Sequence, residues 1–132
     1  MISHIFIGVN DFSRAFGFYA AVLQELGLQL KFVDQNKPWA GWVQPEQPRP
    51  LLLIGAPYDN GPASAGNGQM TALLAENRAT VRRVHARALA AGALCEGAPG
   101  LRAHYHEHYY GAYFRDPDGN KLCICCHQPE SE

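Results

Sequence analysis

No stretch of this 132-residue chain approaches the ~20 apolar residues of a membrane-spanning helix. The amino-terminal MISHIFIGVNDFSRAF also lacks the basic start, apolar core and cleavage site of a secretory signal, so a cytoplasmic protein is expected. Neither charge sign dominates: 11 Lys and Arg face 12 Asp and Glu, for a net charge of -1. Without a basic stripe, no nucleic-acid partner and no membrane surface are expected, and a small-molecule ligand or a protein partner fits better. Cysteine is scarce: three of the 4 crowd into Cys123, Cys125 and Cys126, where neighbours on one strand rarely bridge each other. A disulfide scaffold is thereby excluded, and free thiols in a reducing compartment are expected.

What the chain does have is one half laid twice. Asn10 and Asp11 introduce a helix that Gly27 ends, and Asn77 introduces another that Gly92 ends; Asp11 and Asn77 lie 66 positions apart, half the chain length. A short apolar strand precedes each, over residues 2–9 and 69–75, which makes His4 and Met70 counterparts at that same offset. Phe12, Phe16, Tyr19, Val22 or Leu23, and Leu26 give the first helix an apolar stripe, as Val81, Val84, Ala88 and Ala91 do the second. Strands are predicted over 28–33, 39–44 and 51–55. In the second half a short strand is predicted at 93–96, then an irregular stretch over 97–107, then a hairpin turning at Asp116-Pro117-Asp118-Gly119. The expectation is a single α+β domain of two βαβββ modules, about 1–56 and 68–127, joined by a Gly- and Pro-rich linker at 57–67. Duplicated units of this kind usually enclose a cavity between them, and ligands often sit there.

The repeated βαβββ unit, His4 on the first strand, and the run YYGAYFRDPDGNKL at 109–122 together resemble the vicinal oxygen chelate superfamily, which includes glyoxalases, bleomycin-resistance proteins and extradiol dioxygenases. The likeness spans essentially the whole chain and is greatest to the lactoylglutathione lyase-like branch. It implies homodimers and, in metal-dependent members, a divalent ion held by His, Glu or Gln from strands one and five and from the last strand of each half. His4 matches the first position, whereas Met70 and Cys123 occupy two others, and Leu51 to Ile54 offer no donor. Thioether and thiol belong to soft-metal chemistry, and one imidazole does not hold a hard ion. A glyoxalase-type reaction also needs a carboxylate beside the metal. The expectation is therefore a degenerate metal site and no cofactor, in a protein that binds a small molecule in its cavity. A lyase or dioxygenase of the same superfamily and a soft-metal or thiol sensor are the alternatives.

Candidate ligand contacts are His4, Met70, Tyr105, His106, Tyr109, Cys123 and Cys125. His4 could ligate a metal or simply wall the pocket. His104, His106 and His108 form an H-x-H-x-H run expected in a loop rather than a strand, so Tyr105, His106 and Tyr109 fall near a cavity mouth. Cys123, Cys125 and His127 alternate along the last strand and should share one face, as a soft-metal or reactive-thiol set or as modest hydrophobes. Trp39 and Trp42 should point to opposite faces of theirs.

Overall fold

The computed structural model describes residues 1–130. The first module comprises β1 (His4–Gly8), α1 (Phe12–Leu26), β2 (Gln29–Asp34), β3 (Trp39–Val43) and β4 (Leu51–Gly55). The second comprises β5 (Thr71–Leu74), α2 (Arg78–Ala90), β6 (Leu94–Leu101), β7 (Tyr110–Arg115) and β8 (Lys121–Cys126). Each forms a four-stranded sheet, ordered β1-β4-β3-β2 and β5-β8-β7-β6, in which only the β1–β4 and β5–β8 pairs run parallel.

The predicted caps form. The Asp11 carboxylate accepts the backbone N–H of Arg14 at 3.1 Å, the Asn77 amide oxygen accepts that of Thr80 at 2.8 Å, and Gly27 takes the left-handed φ of 97° that ends α1. The 66-residue offset also holds at the end of the first strand of each module. Val9 N–H donates to the Gly55 carbonyl and Ala75 N–H to that of Cys125, so the helix and first strand repeat at 66 and the last strand at 70.

Two expectations need correction. The strand at 93–96 runs instead to Leu101, because register shifts between Cys95 and Gly97 and between Gly97 and Gly100 absorb Pro99 into a bulged edge strand. β5 begins at Thr71, which leaves Met70 in the preceding loop, 45% exposed.

The core lies between the helix-bearing faces of the two sheets. Ala15, Phe18, Tyr19, Val22 and Leu23 of α1 meet Val81, Val84 and Ala88 of α2, together with Trp42, Ile54, Phe114, Leu122 and Ile124 from the strands. The buried stripe of α1 is wider than its sequence pattern, including Ala15 and Phe18, because this helix packs against α2 as well as its own sheet. The β7–β8 turn then ties the modules together. Asp116 accepts the Tyr19 hydroxyl at 2.5 Å, Asn120 donates to the Gly8 carbonyl at 3.1 Å, and Asp118 accepts the Asn10 N–H at 3.0 Å. Among the described residues no strand of one sheet approaches a strand of the other, so each sheet keeps an open face opposite the helices.

Candidate functional site

Alternation along β7 and β8 sends Ala112, Phe114, Leu122, Ile124 and Cys126 into the core. Gly111, Tyr113, Arg115, Lys121, Cys123 and Cys125 are thereby left on the open face. Over that face stands a cavity of about 700 Å³, bounded by the end of the linker at 67–70, by Tyr105, His106 and Tyr109 from the loop before β7, and by Tyr113, Arg115, Lys121 and His127. Among the described residues no Asp or Glu lines it.

A connected set of polar groups forms the floor. The Tyr109 hydroxyl lies 2.9 Å from that of Tyr113 and 3.5 Å from the Cys123 sulfur. Burial raises both phenols, which therefore stay protonated as donors. On the other side, the His127 Nε2 lies 3.7 Å from the Cys125 sulfur, and its Nδ1 lies 2.8 Å from the His106 Nε2. The tautomers follow from one fixed donor. His106 Nδ1 accepts the backbone N–H of His108 at 3.2 Å, so the neutral ring carries its proton on Nε2 and gives that hydrogen bond to His127 Nδ1. His127 then bears its own proton on Nε2, aimed at Cys125.

The two thiols are shifted in opposite directions. A hydrogen bond from Cys125 and others from Tyr109 and Tyr113 draw Cys123 down to about 7, against the opposing effect of burial. Cys125, which supplies that proton and is also buried, is pushed up.

Cations surround Tyr113: the Arg102 guanidinium lies 5.5 Å and the Lys121 ammonium 5.6 Å from its ring centre. Arg102 is held by the Ala98 and Gly100 carbonyls at 2.8 and 2.9 Å, and Arg115 is paired with Glu96.

Among the residues singled out from sequence, Met70, Tyr105, His106 and Tyr109 line this cavity, and Cys123 and Cys125 touch two of its wall residues, Tyr109 and His127. His4 does not join them. It sits exposed at the start of β1, its Nδ1 2.9 Å from the Ser3 hydroxyl, on the other module. The cavity of one chain is thus built on the second module and the linker, not between the two copies, because the helices and not the sheets face each other. A smaller cavity of about 310 Å³ lies on the first module, against Phe6, Gly8, Tyr58 and Ala63. Tyr113 and Lys121 escaped notice as wall residues, although alternation from Tyr109 and Cys123 would have found both. Trp39 and Trp42 do part company: Trp42 packs on Phe16 and Tyr19 under α1, and Trp39 on Phe32 across the open face. Among the described residues no three His, Cys, Asp or Glu side chains converge as a metal site would require.

Paired βαβββ modules of this connectivity define the glyoxalase and bleomycin-resistance fold. The family model for the Glyoxalase/Bleomycin resistance protein/Dioxygenase superfamily matches residues 1–124, and the chain belongs to that superfamily. A glyoxalase/bleomycin resistance protein from Albidiferax ferrireducens T118 is 34% identical over 98% of this chain and 99% of its own, with a TM-score of 0.82. A glyoxalase-related enzyme from Fulvimarina pelagi shares 19% identity over 96% of this chain and 87% of its own, with a TM-score of 0.72. A lactoylglutathione lyase from Agrobacterium tumefaciens shares 20% over 96% and 92%, with a TM-score of 0.65. These last two likenesses concern the fold alone. No curated protein matches the chain. No helix is long and apolar enough to cross a membrane among the described residues.

Proposed function

We propose that this chain is a small-molecule-binding member of its superfamily, working as a homodimer without a metal at the usual position, and that its ligand is planar and carries a negative charge. The observation that carries the reading is the make-up of the cavity wall: three tyrosines and two imidazoles for stacking, Arg115 and Lys121 for charge, and no carboxylate among the described residues. Lys121 is the cation there that makes no carboxylate ion pair among the described residues.

The donors at the usual metal positions do not fit a hard ion. Met70 lies in the loop before β5 and lines the same cavity as Lys121, so an ammonium shares the space a cation beside Met70 would have to occupy. Cys123 is covered by Tyr109, and His4 belongs to the other open face. No step is therefore derived through a metal.

The dimer reading rests on the two open faces. Phe6 on the first sheet and Leu74 at the end of β5 are large apolar side chains on these faces, left 46% and 69% exposed. Covering each face with the complementary module of a second copy would bury them and close the cavity.

The test is a thermal-shift panel of aromatic carboxylates, their neutral amides and metal chelators on untagged protein, with native mass spectrometry of the same sample. Carboxylates raising Tm, amides failing to, and a metal-free dimer are expected. A flat panel overturns the binding reading, and one Ni, Fe, Mn or Zn per subunit overturns the metal-free one.

A further inference from the structure

Residue numbers along β7 and β8 convert into positions along the cavity. On the open face Lys121 stands beside Arg115, Cys123 beside Tyr113 and Cys125 beside Gly111, and His127 continues that face one residue beyond β8. Each two-residue step advances about 6.6–6.8 Å, so the cavity, which both Lys121 and His127 line, extends over about 20 Å. A volume of about 700 Å³ spread over that length averages about 35 Å² in cross-section, more than the edge-on section of one flat ring and less than that of two. The two ends differ in kind. At the first, the Lys121 ammonium lies 5.6 Å from the Tyr113 ring centre, and the linker end at 67–70 walls the space, since Thr71 pairs with Leu122 next to Lys121. At the other, Tyr105, Tyr109, His106 and His127 form a cluster whose neighbouring ring centres lie 4.9, 5.7 and 5.0 Å apart. His106 Nδ1 and His127 Nδ1 each accept a hydrogen bond, so both imidazoles are neutral and this end offers aromatic surface without charge. Between the ends the Tyr109 ring lies over Gly111, where a Cβ would stand 2.9 Å from it.

We propose that the ligand is an elongated planar acid seated along β8, with its carboxylate on the Lys121 ammonium and a distal ring among Tyr109, His106 and His127. Allowing for the lysine side chain and the half-width of a ring, roughly 10 Å separates the carboxylate from the centre of that ring. A single-ring acid reaches one end or the other and never both. His127 and His106 thereby set the length of the acid accepted, while Lys121 sets its charge. This deepens the binding reading and rests on it.

The test titrates the full-length protein by calorimetry with benzoate and with trans-azobenzene-4-carboxylate, a long flat acid. The long acid is expected to bind at least about tenfold more tightly than benzoate, and its conversion by light to the cis isomer, which bends the same atoms out of plane, should remove that advantage. His127→Ala, at an exposed position, should cut the advantage to about threefold or less, whereas Lys121→Leu should weaken both acids and keep their ratio. Intermolecular NOEs should join the distal ring to the imidazole protons of His106 and His127, and the carboxylate-bearing ring to Tyr113. Equal affinities for benzoate and the long acid, equal affinities for the trans and cis isomers, or an advantage unmoved by His127→Ala overturns this inference and leaves the binding reading standing. Absence of binding by either acid overturns the binding reading, and this inference falls with it.

Discussion

The open faces of the two modules carry the same backbone and opposite chemistry. Pairing the sheets position for position sets Val43 against Arg115, Leu51 against Lys121, Gly41 against Tyr113 and Leu53 against Cys123. Every one of these first-module positions is apolar or bare, and every one of their counterparts carries a charge, a hydroxyl or a thiol. Inward-facing positions show no such divergence: Ala15, Phe18 and Val22 match Val81, Val84 and Ala88, and Trp42 matches Phe114. A shared core constrains both copies alike, because each buried side chain must fill a defined volume. The open faces are free of that demand, so one has become an apolar wall and the other a polar floor.

The largest effect should come from breaking what the modules share. Phe18 on α1 packs edge-on against Phe114 of β7, so Phe18→Ala should cost about 3–5 kcal/mol and unfold both modules in a single transition. Two transitions by calorimetry would show that the modules are separate units. Next comes the tie at Tyr19, whose hydroxyl reaches the buried Asp116 carboxylate. Tyr19→Phe should cost about 1–3 kcal/mol in chemical denaturation, since the carboxylate loses a donor it cannot replace from water.

Glycines on the two faces sharpen the comparison. A Cβ at Gly41 would lie 2.6 Å from both Leu53 and Phe32, and one at Gly111 would lie 2.9 Å from Tyr109. Either alanine should destabilise by about 1–3 kcal/mol through overpacking. Only Gly111→Ala should also weaken binding of aromatic carboxylates; equal losses of binding in the two variants would refute the division of labour. Transplanting the first module's residue with Lys121→Leu should change stability by about 0.5 kcal/mol or less, as expected of a surface position. In the thermal-shift panel it should abolish the preference for carboxylates over amides.

How much of this could be read from the chain follows the range of the interactions. Asp11, Asn77 and Gly27 act on backbone groups within a few residues of themselves, as does the Asp116–Gly119 turn, so their sequence signals are complete. Pro99 and Gly100 look like a strand end, yet β6 continues through them because β7 supplies partners beyond the bulges, and that partner lies outside any local window. Cys123, Cys125 and His127 were readable as one face from alternation alone. Their chemistry was not, since it depends on Tyr109 folding over Gly111 and on the turn that brings His106 against His127. Placing the cavity between the modules failed for the same reason. Nothing local to either helix says that the two will pack on each other and turn the sheets outward.

The smallest effect separates two positions at the same place on their helices. Tyr19 and His85 stand 66 residues apart, and each projects a polar group from a buried site; Tyr19 finds a carboxylate, and His85 finds the Cys95 sulfur, 3.4 Å from its Nε2. Burial therefore holds the imidazole below its ordinary value of 6.5. A histidine lowered in the folded state binds its proton more readily when unfolded, so stability is intact at high pH and falls as pH drops through 6.5 toward the folded value. Tm of the natural protein should decline between pH 7.5 and about 5 more steeply than that of His85→Phe, and the two slopes should coincide above about pH 7.5. The Tyr19→Phe variant should lose its stability uniformly across the same range, because its phenol, raised chiefly by burial, does not titrate there. Parallel curves for the natural protein and His85→Phe would mean that His85 is solvated well enough to take up its proton without opening the core. The two helices would then present equivalent polar positions, and the divergence between the modules would be confined to their open faces.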